Sequence, residues 1–298
     1  MSIKTTFSIK DLEHLSGIKA HTIRIWERRY KLFEPNRTDT NIRTYDQKTL
    51  QKLLNVVLLL ENGFKISKIS EIKESELFSL TRELQLKKHS STYALDTLKL
   101  AMLNFDRILF EQVYNQLLEK HDFREIFVNY FIPFLNEIGM LWLTKTISPA
   151  HEHFISNLIK QKVLTNIEKV QQMPSEKKST WVLFLPLNEI HELGLMYIHF
   201  ELLLKGYNSI YLGMSTPIEN LMDLQDVCKD ITFLSYFTVE PNEEKIEGYL
   251  SRIDEIILKP RNEKLHILGK NCEMVQTDNL NPNIIKHSSL KSFLEILN

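Results

Sequence analysis

The chain has 298 residues, of which 43% are hydrophobic and 25% charged, and this composition argues against intrinsic disorder. The length exceeds that of an average domain, so two or three units with separate cores are expected. Residues 1–70 hold 13 Lys and Arg against 7 Asp and Glu, a surplus of +6 that leaves -7 for the remainder. A basic end of this kind is typical of a protein that binds a polyanion.

The sequence contains no apolar run near the roughly 20 residues that cross a bilayer, and residues 1–10 have no signal-peptide core. A cytoplasmic protein without a membrane partner is therefore expected.

Residues 1–75 predict a helix-turn-helix unit. Ser8 can cap a first helix and Gly17 can end it, while Ile23 and Trp26 lie on the inward side of a second helix. The outward side of that helix carries arginines where base edges and phosphates can accept their hydrogen bonds. These arginines are Arg24, Arg28 and Arg29. The unit is predicted to bind DNA, and the alternative is a solvated basic face on a structural helical unit.

Residues 76–172 predict a linker and a four-helix bundle, because apolar residues recur at helical spacing between short breaks. The helices are expected over residues 93–103, 108–118, 123–143 and 154–170. Residues 180–298 alternate strands with helices, which specifies a parallel sheet covered on both faces by helices. The predicted fold class is therefore multidomain, α followed by α/β.

The segment after the second helix contains Pro35-Asn-Arg37 and then Arg43-Thr-Tyr45. This pattern resembles the wing of the MerR family of DNA-binding regulators, and the likeness continues through the next helices. It implies DNA contacts by Arg37, Arg43 and Tyr45, the last two to phosphates, which set register without reading sequence.

The rest of the chain resembles the cobalamin-binding regulators of this family, the CarH-like group, and the cobalamin module of methionine synthase. In these proteins a helical bundle precedes a flavodoxin-like domain. Trp142 is separated by nine residues from the pair Glu152-His153, and the resemblance implies that these three residues cover the upper face of a corrin. His191 follows the first strand and is implied as the lower cobalt ligand, with Glu189 fixing its tautomer.

Four further residues are assigned to the nucleotide tail of the cofactor by the same resemblance. They are Gly194, Ser215, Ser235 and Gly269. The expected ligand is cobalamin in its adenosyl or methyl form.

Three departures from the family pattern bear on this reading. Leu143 stands where light-responsive members have a histidine, so His151 and His153 are the remaining candidates for the upper position. Phe237 and Lys270 stand where smaller residues are usual around the tail.

The sequence predicts a transcriptional repressor, and not an enzyme, that binds an operator in double-stranded DNA as a dimer or tetramer and responds to a corrinoid. One alternative is a regulator with a cofactor-free sensor controlled by a protein partner. A less favoured alternative is a corrinoid methyl carrier, because such carriers lack a DNA-binding head.

Overall fold

The computed structural model describes residues 6–38, 40–73, 76–77, 80, 91–144, 146–172, 175, 177, 179–275 and 281–297. The chain divides into two compact units, Met1–Ile159 and Lys160–Asn298. The boundary falls inside one long helix. The finer division into domains 1–75, 76–172 and 180–298 stays a prediction.

The predicted DNA-binding unit, which we call the head, begins with a capped helix-turn-helix. Its elements are β1 (Thr6–Phe7), α1 (Ile9–Ser16), α2 (Ala20–Tyr30), β2 (Asn36–Arg37), β3 (Arg43–Asp46), α3 (Gln47–Glu61) and α4 (Ile66–Ile69). The Ser8 hydroxyl accepts a hydrogen bond from the Asp11 amide at 3.2 Å, and the Asp11 carboxylate accepts one from the Ser8 amide at 2.7 Å. Gly17 ends α1 in the left-handed conformation, with φ of 71°. The predicted cap and stop are confirmed.

Strand β3 lies at the centre of a three-stranded antiparallel sheet in the order β1-β3-β2, so the wing is a hairpin tied to the N-terminal strand. Ile23 and Trp26 of α2 are both buried, as predicted.

Four helical segments follow. They are α5 (Ser91–Leu103), α6 (Arg107–Leu118), α7 (Phe123–Ile126, then the π-helical Phe127–Phe131, then Ile132–Leu143) and α8 (Pro149–Val170). Pro149 is the first residue of α8, where its fixed φ and missing N–H cost nothing. The predicted bundle helices are confirmed.

Polar contacts join the head to these helices within the first unit. The Thr146 hydroxyl, in the loop between α7 and α8, donates to the Asp11 carboxylate at 3.4 Å. The Gln51 amide on α3 donates to the Asn104 side chain at the end of α5. Thr146 is fully buried and Asp11 nearly so, so this contact is shielded from water.

The second unit is a doubly wound α/β fold. Its elements are β4 (Thr180–Phe184), α9 (Leu193–Leu204), β5 (Asn208–Gly213), α10 (Met222–Val227), β6 (Ile231–Tyr236), α11 (Ile246–Ile253, then the π-helical Asp254–Leu258 and Lys259–Arg261), β7 (Lys264–Leu268), β8 (Ile284–Lys286) and α12 (Leu290–Ile296). All paired strands are parallel and lie in the order β5-β4-β6-β7-β8. This is the flavodoxin-like order, as predicted.

The loops after these strands gather at the carboxyl edge of the sheet. Every residue of β4 is buried, as expected for a central strand with helices on both faces. Among the helices of the described residues, none combines the length and apolar content that a bilayer crossing needs.

One position at this edge requires glycine because the backbone of another loop packs against it. Gly269 follows β7 with φ of 111°, and a Cβ placed on it would lie 2.4 Å from the carbonyl oxygen of Phe237. Only a residue without a side chain fits there.

We expect Gly269→Ala to lower the free energy of unfolding by about 1–3 kcal/mol. The new Cβ would clash with backbone atoms of Phe237, and a backbone cannot relieve the clash by changing a side-chain rotamer. Gly248→Ala is the control, since a Cβ there meets nothing within 4 Å. That helical substitution should add about 0.5–1 kcal/mol. Urea unfolding followed by far-UV circular dichroism measures both, and equal stabilities would contradict the packing argument.

Candidate functional site

His191 and Glu189 lie together on the loop between β4 and α9. Nδ1 of His191 is 2.6 Å from Oε1 of Glu189, and the same oxygen accepts the backbone N–H groups of Ile190 and His191 at 2.9 and 2.8 Å. The sequence reasoning placed these two side chains together, and the structure brings them together. Their role as cobalt ligand and orienting partner stays a prediction.

The other oxygen of Glu189 is held by the loop that follows β6. Three consecutive backbone N–H groups donate to Oε2 at 3.2, 2.6 and 2.9 Å. They belong to Thr238, Val239 and Glu240. A single carboxylate therefore ties the loops of two neighbouring strands to each other.

Glu189 is fully buried but ionised. Burial acts to raise the pKa of its carboxyl, but the hydrogen bonds from His191 and from the backbone N–H groups outweigh burial and lower the pKa to about 2. A carboxylate facing Nδ1 favours the tautomer with the proton on Nδ1 and the lone pair on Nε2. That is the form of imidazole that binds a metal, and the His191 side chain is 38% exposed.

Large apolar side chains are exposed around this loop. Five of them, each between 42% and 56% exposed, follow the carboxyl ends of β4, β5, β6 and β7. They are Leu187, Ile190, Met214, Val239 and Met274. Because the carboxyl ends of parallel strands share one edge, these five side chains lie along that edge, and we call them the apolar rim. A patch of this kind marks a binding surface more often than chance exposure does.

The residues predicted to hold the cofactor tail make close contacts within the chain, and their role in holding a cofactor stays a prediction. A Cβ on Gly194 would lie 2.8 Å from the ring of Tyr236, so the glycine makes room for that ring. Gly269 makes room for the Phe237 backbone. Ser235 is fully buried, and its hydroxyl donates to the Phe184 carbonyl at 2.9 Å.

Ser215 is exposed and has a local structural contact. Its hydroxyl accepts the backbone N–H of Asn188 at 3.1 Å and so links the loops after β5 and β4. Lys270 is exposed and Phe237 is part of the hydrophobic core, so Lys270 does not fill an internal space.

The residues predicted for the upper wall belong to α7 and α8. Trp142 is in the last turn of α7, and its side chain lies outside the described residues, as does that of Leu143. Glu152 is half-buried and His153 is exposed, both in the opening turn of α8. His151 is buried, stacks on Phe105 with ring centroids 4.7 Å apart, and has a pKa lowered by burial.

A second buried carboxylate was missed by the sequence reasoning. Glu192, next to His191, receives the hydroxyl of Tyr211 at 2.6 Å and an ion pair from Lys160. Burial, followed by the hydrogen bond to Glu192, raises the pKa of Tyr211. The start of α9 is therefore fixed by strand β5 as well as by its own loop.

The head presents its predicted basic face. The side chains on α2 and β2 that were assigned to DNA are all exposed: Arg24, Arg28, Arg29 and Arg37. Arg43 on β3 is partly exposed and forms an ion pair with Glu27 of α2, with Nε 3.2 Å from Oε2.

Tyr45 differs from the prediction. Its side chain is fully buried, and its hydroxyl donates to Oε1 of Glu27. Direct contact with a phosphate is therefore not available to it in this conformation. Glu27, which the sequence reasoning did not single out, is the residue that both wing side chains share. Its position one turn after Ile23, on the inward side of α2, was the available signal.

The lowered pKa of Glu189 makes stability depend on pH. The folded value of about 2 lies below the ordinary value of 4.5, so the stabilisation is complete above pH 4.5 and is lost as the pH falls toward 2. Glu189→Gln should therefore lower the free energy of unfolding near neutral pH by on the order of 3 kcal/mol, and the deficit should shrink in acid.

The control is Glu219→Gln, which removes a half-exposed carboxylate paired with Arg252 in the same unit. Its effect on stability should be small at every pH. Unfolding by urea across the acid range measures both variants. A deficit for Glu189→Gln that does not change with pH would contradict the assigned pKa.

Two family models match the chain. Residues 7–76 match the MerR HTH family regulatory protein, and residues 94–165 match a B12 binding domain. The HTH-type transcriptional repressor CarH of Myxococcus xanthus is 24% identical over 223 residues, which cover 72% of this chain and 73% of the repressor. The repressor CarA of the same organism is 26% identical over 245 residues, which cover 80% of this chain and 79% of CarA.

Among solved structures, the monomethylamine corrinoid protein of Methanosarcina barkeri aligns with a TM-score of 0.56 at 12% identity, covering 70% of this chain and 98% of that protein. At this identity the likeness shows the fold alone. The matches to repressors agree with the predicted regulator and not with an enzyme. The chain thus combines a segment that matches a MerR HTH family regulatory protein with a segment that matches a B12 binding domain, and it is similar over most of its length to the repressors CarH and CarA.

Proposed function

We propose that the chain is a cytoplasmic transcriptional repressor whose hold on DNA responds to cobalamin, in its adenosyl or methyl form, bound at the carboxyl edge of the sheet. The observation that carries the proposal is the Glu189–His191 pair within the apolar rim. Cobalamin would supply a cobalt centre that can bind an imidazole, for which His191 is the proposed donor, and a broad macrocycle that the apolar rim would cover.

The residues at this edge fit such a ligand. Glu189 holds the proton on Nδ1 of His191, which leaves the lone pair on Nε2 for cobalt. The apolar rim loses exposed surface when a large flat ligand covers it, and this contributes about 25 cal/mol for each Å² removed from water. Trp142, Glu152 and His153 remain the proposed cover for the upper face.

The response to the ligand is proposed to act through assembly. One head of this size grips DNA weakly, so two or more copies of the chain are proposed to share one operator. A ligand changes that assembly only to the extent that it binds one arrangement more tightly than another.

A second candidate is a regulator that has lost its cofactor and answers to a protein partner. The specific observation in its favour is that Tyr236 and the Phe237 backbone occupy the space beside Gly194 and Gly269. A visible corrin spectrum retained by the full chain after reconstitution with cobalamin and gel filtration supports the first candidate, and its absence supports the second.

His191→Ala should lose most of the retained corrin absorbance, because the variant lacks the nitrogen proposed to bind cobalt. The matched control is His121→Ala, which removes another imidazole bonded to a carboxylate, with Nδ1 3.1 Å from Glu125. Absorbance per mole of full-length protein after gel filtration is the measurement. Equal retention by the parent, His191→Ala and His121→Ala would remove His191 from the site.

Arg43→Ala should weaken DNA binding on all sequences, because a phosphate contact is independent of the bases. The slope of log K against log salt concentration should become shallower by about one unit. Lys120→Ala in the bundle, where the lysine is exposed, is the control for loss of one positive charge. An unchanged slope for Arg43→Ala would show that Arg43 does not touch a phosphate.

A further inference from the structure

A charged residue lies on the inward face of the helix that carries the predicted base-contacting arginines. Glu27 is on the same side of α2 as Ile23 and Trp26, and it is 8% exposed. A carboxylate taken out of water costs several kcal/mol unless a cation and hydrogen-bond donors surround it. The hydrogen-bond and ion-pair partners of Glu27 therefore indicate its role.

Both partners come from β3, the central strand of the wing sheet. Nε of Arg43 is 3.2 Å from Oε2 of Glu27, and the hydroxyl of Tyr45 donates to Oε1. Residues two apart on a strand lie on the same face, so Arg43 and Tyr45 approach the carboxylate side by side. Glu27 thus connects the second helix of the helix-turn-helix to the wing.

The contact with Glu27 leaves the two terminal nitrogens of the Arg43 guanidinium able to bind a phosphate. Glu27 bonds to Nε, whereas the two terminal nitrogens of a guanidinium are the ones that reach a phosphate. The Arg43 side chain is 31% exposed. It lines an open groove between α2 and the wing together with other basic side chains, namely Arg28, Lys31 and Arg37.

We infer that Glu27 is a positioning residue that holds the guanidinium of Arg43 in the orientation that grips a DNA phosphate. The inference rests on the proposed contact between Arg43 and DNA. It assigns to a buried negative charge a favourable effect on the binding of a polyanion.

The direction of the change in DNA affinity distinguishes positioning by Glu27 from a general electrostatic effect of its charge. Removing a negative charge from a DNA-binding head makes the head more basic, which by itself tightens DNA binding. Removing the charge that orients Arg43 releases a long side chain into many rotamers, so each bond to phosphate costs more entropy to form. Positioning therefore predicts weaker binding from a more positive protein.

The test compares Glu27→Gln with Glu71→Gln in the full chain. Each variant loses one negative charge from the head, but Glu71 is 64% exposed and pairs with Lys68. The probe is a fluorescently labelled DNA duplex of mixed sequence, titrated at several salt concentrations. Glu27→Gln should bind about tenfold more weakly than the parent and show a salt slope shallower by about one unit. Glu71→Gln should bind as well as the parent or slightly better.

A double-mutant cycle shows whether Glu27 acts through Arg43. If it does, Glu27→Gln should cause no weakening in an Arg43→Ala background. Equal weakening in both backgrounds would mean that Glu27 has a general structural role, and this would overturn the inference. Unchanged or tighter DNA binding by Glu27→Gln alone would overturn it as well, and neither result would contradict the contact between Arg43 and a phosphate. If Arg43→Ala kept the affinity and the salt slope of the parent, the inference and the proposed phosphate contact would both be wrong.

Circular dichroism and thermal unfolding establish that the variants are folded. Glutamine keeps the side-chain volume and an oxygen that can accept the Tyr45 hydroxyl. Should Glu27→Gln not fold, Glu27→Asp enters the same cycle, because its shorter side chain withdraws the carboxylate from Arg43 without a change of net charge. Weaker binding that depends on Arg43 is again the expected result, and binding equal to the parent's overturns the inference.

Discussion

The carboxyl edge of the sheet depends on a carboxylate that is buried and still charged. Glu189 lies between the loops after β4 and β6, and its two oxygens together accept five backbone N–H groups and face the His191 ring. Without this anion those five N–H groups would lose their acceptor, at a cost of about 1–3 kcal/mol for each one that stays shielded from water. The same constraint turns His191 so that Nδ1 faces the protein. The proposed ligand chemistry is therefore a consequence of how two loops satisfy their backbone donors.

The DNA-binding head also contains a buried carboxylate that orients a side chain. Glu27 is buried under the wing as Glu189 is buried under the sheet edge, and each carboxylate orients one nitrogen-bearing side chain at the surface. The difference lies in the remaining partners. Glu189 is held mainly by backbone donors, which have no rotamers, whereas Glu27 is held by the side chains of Arg43 and Tyr45. The geometry of the wing consequently depends on side-chain packing, and that of the sheet edge on the fold itself.

The sequence was sufficient where the signal is local or periodic. Helix stops such as Gly17, the bundle spacing and the strand-helix alternation predicted the helices and the parallel sheet, because each signal depends on neighbours in sequence. The flavodoxin-like fold was implied by the family resemblance. It was insufficient where distant segments decide. The sequence did not show that the backbone of Phe237, more than thirty residues earlier, packs against Gly269. Tyr45 lies on the same face of β3 as the partly exposed Arg43, and only the packing of α2 against the wing shows that the Tyr45 hydroxyl donates to Glu27.

The first unit has a direct physical connection between the segment that matches a B12 binding domain and the DNA-binding head. Thr146, in the loop between α7 and α8, donates to Asp11, and Asp11 belongs to the capping box that fixes the start of α1. A buried hydrogen bond of this kind has two states, made or broken, and the Thr146 hydroxyl has Thr144, 2.8 Å away, as its other partner. Under the proposed function, any ligand that binds more tightly to one arrangement of the α7–α8 loop also selects one state of this bond. The energy that cobalamin can deliver to the head is then limited by its difference in affinity for the two arrangements, and not by how tightly it binds.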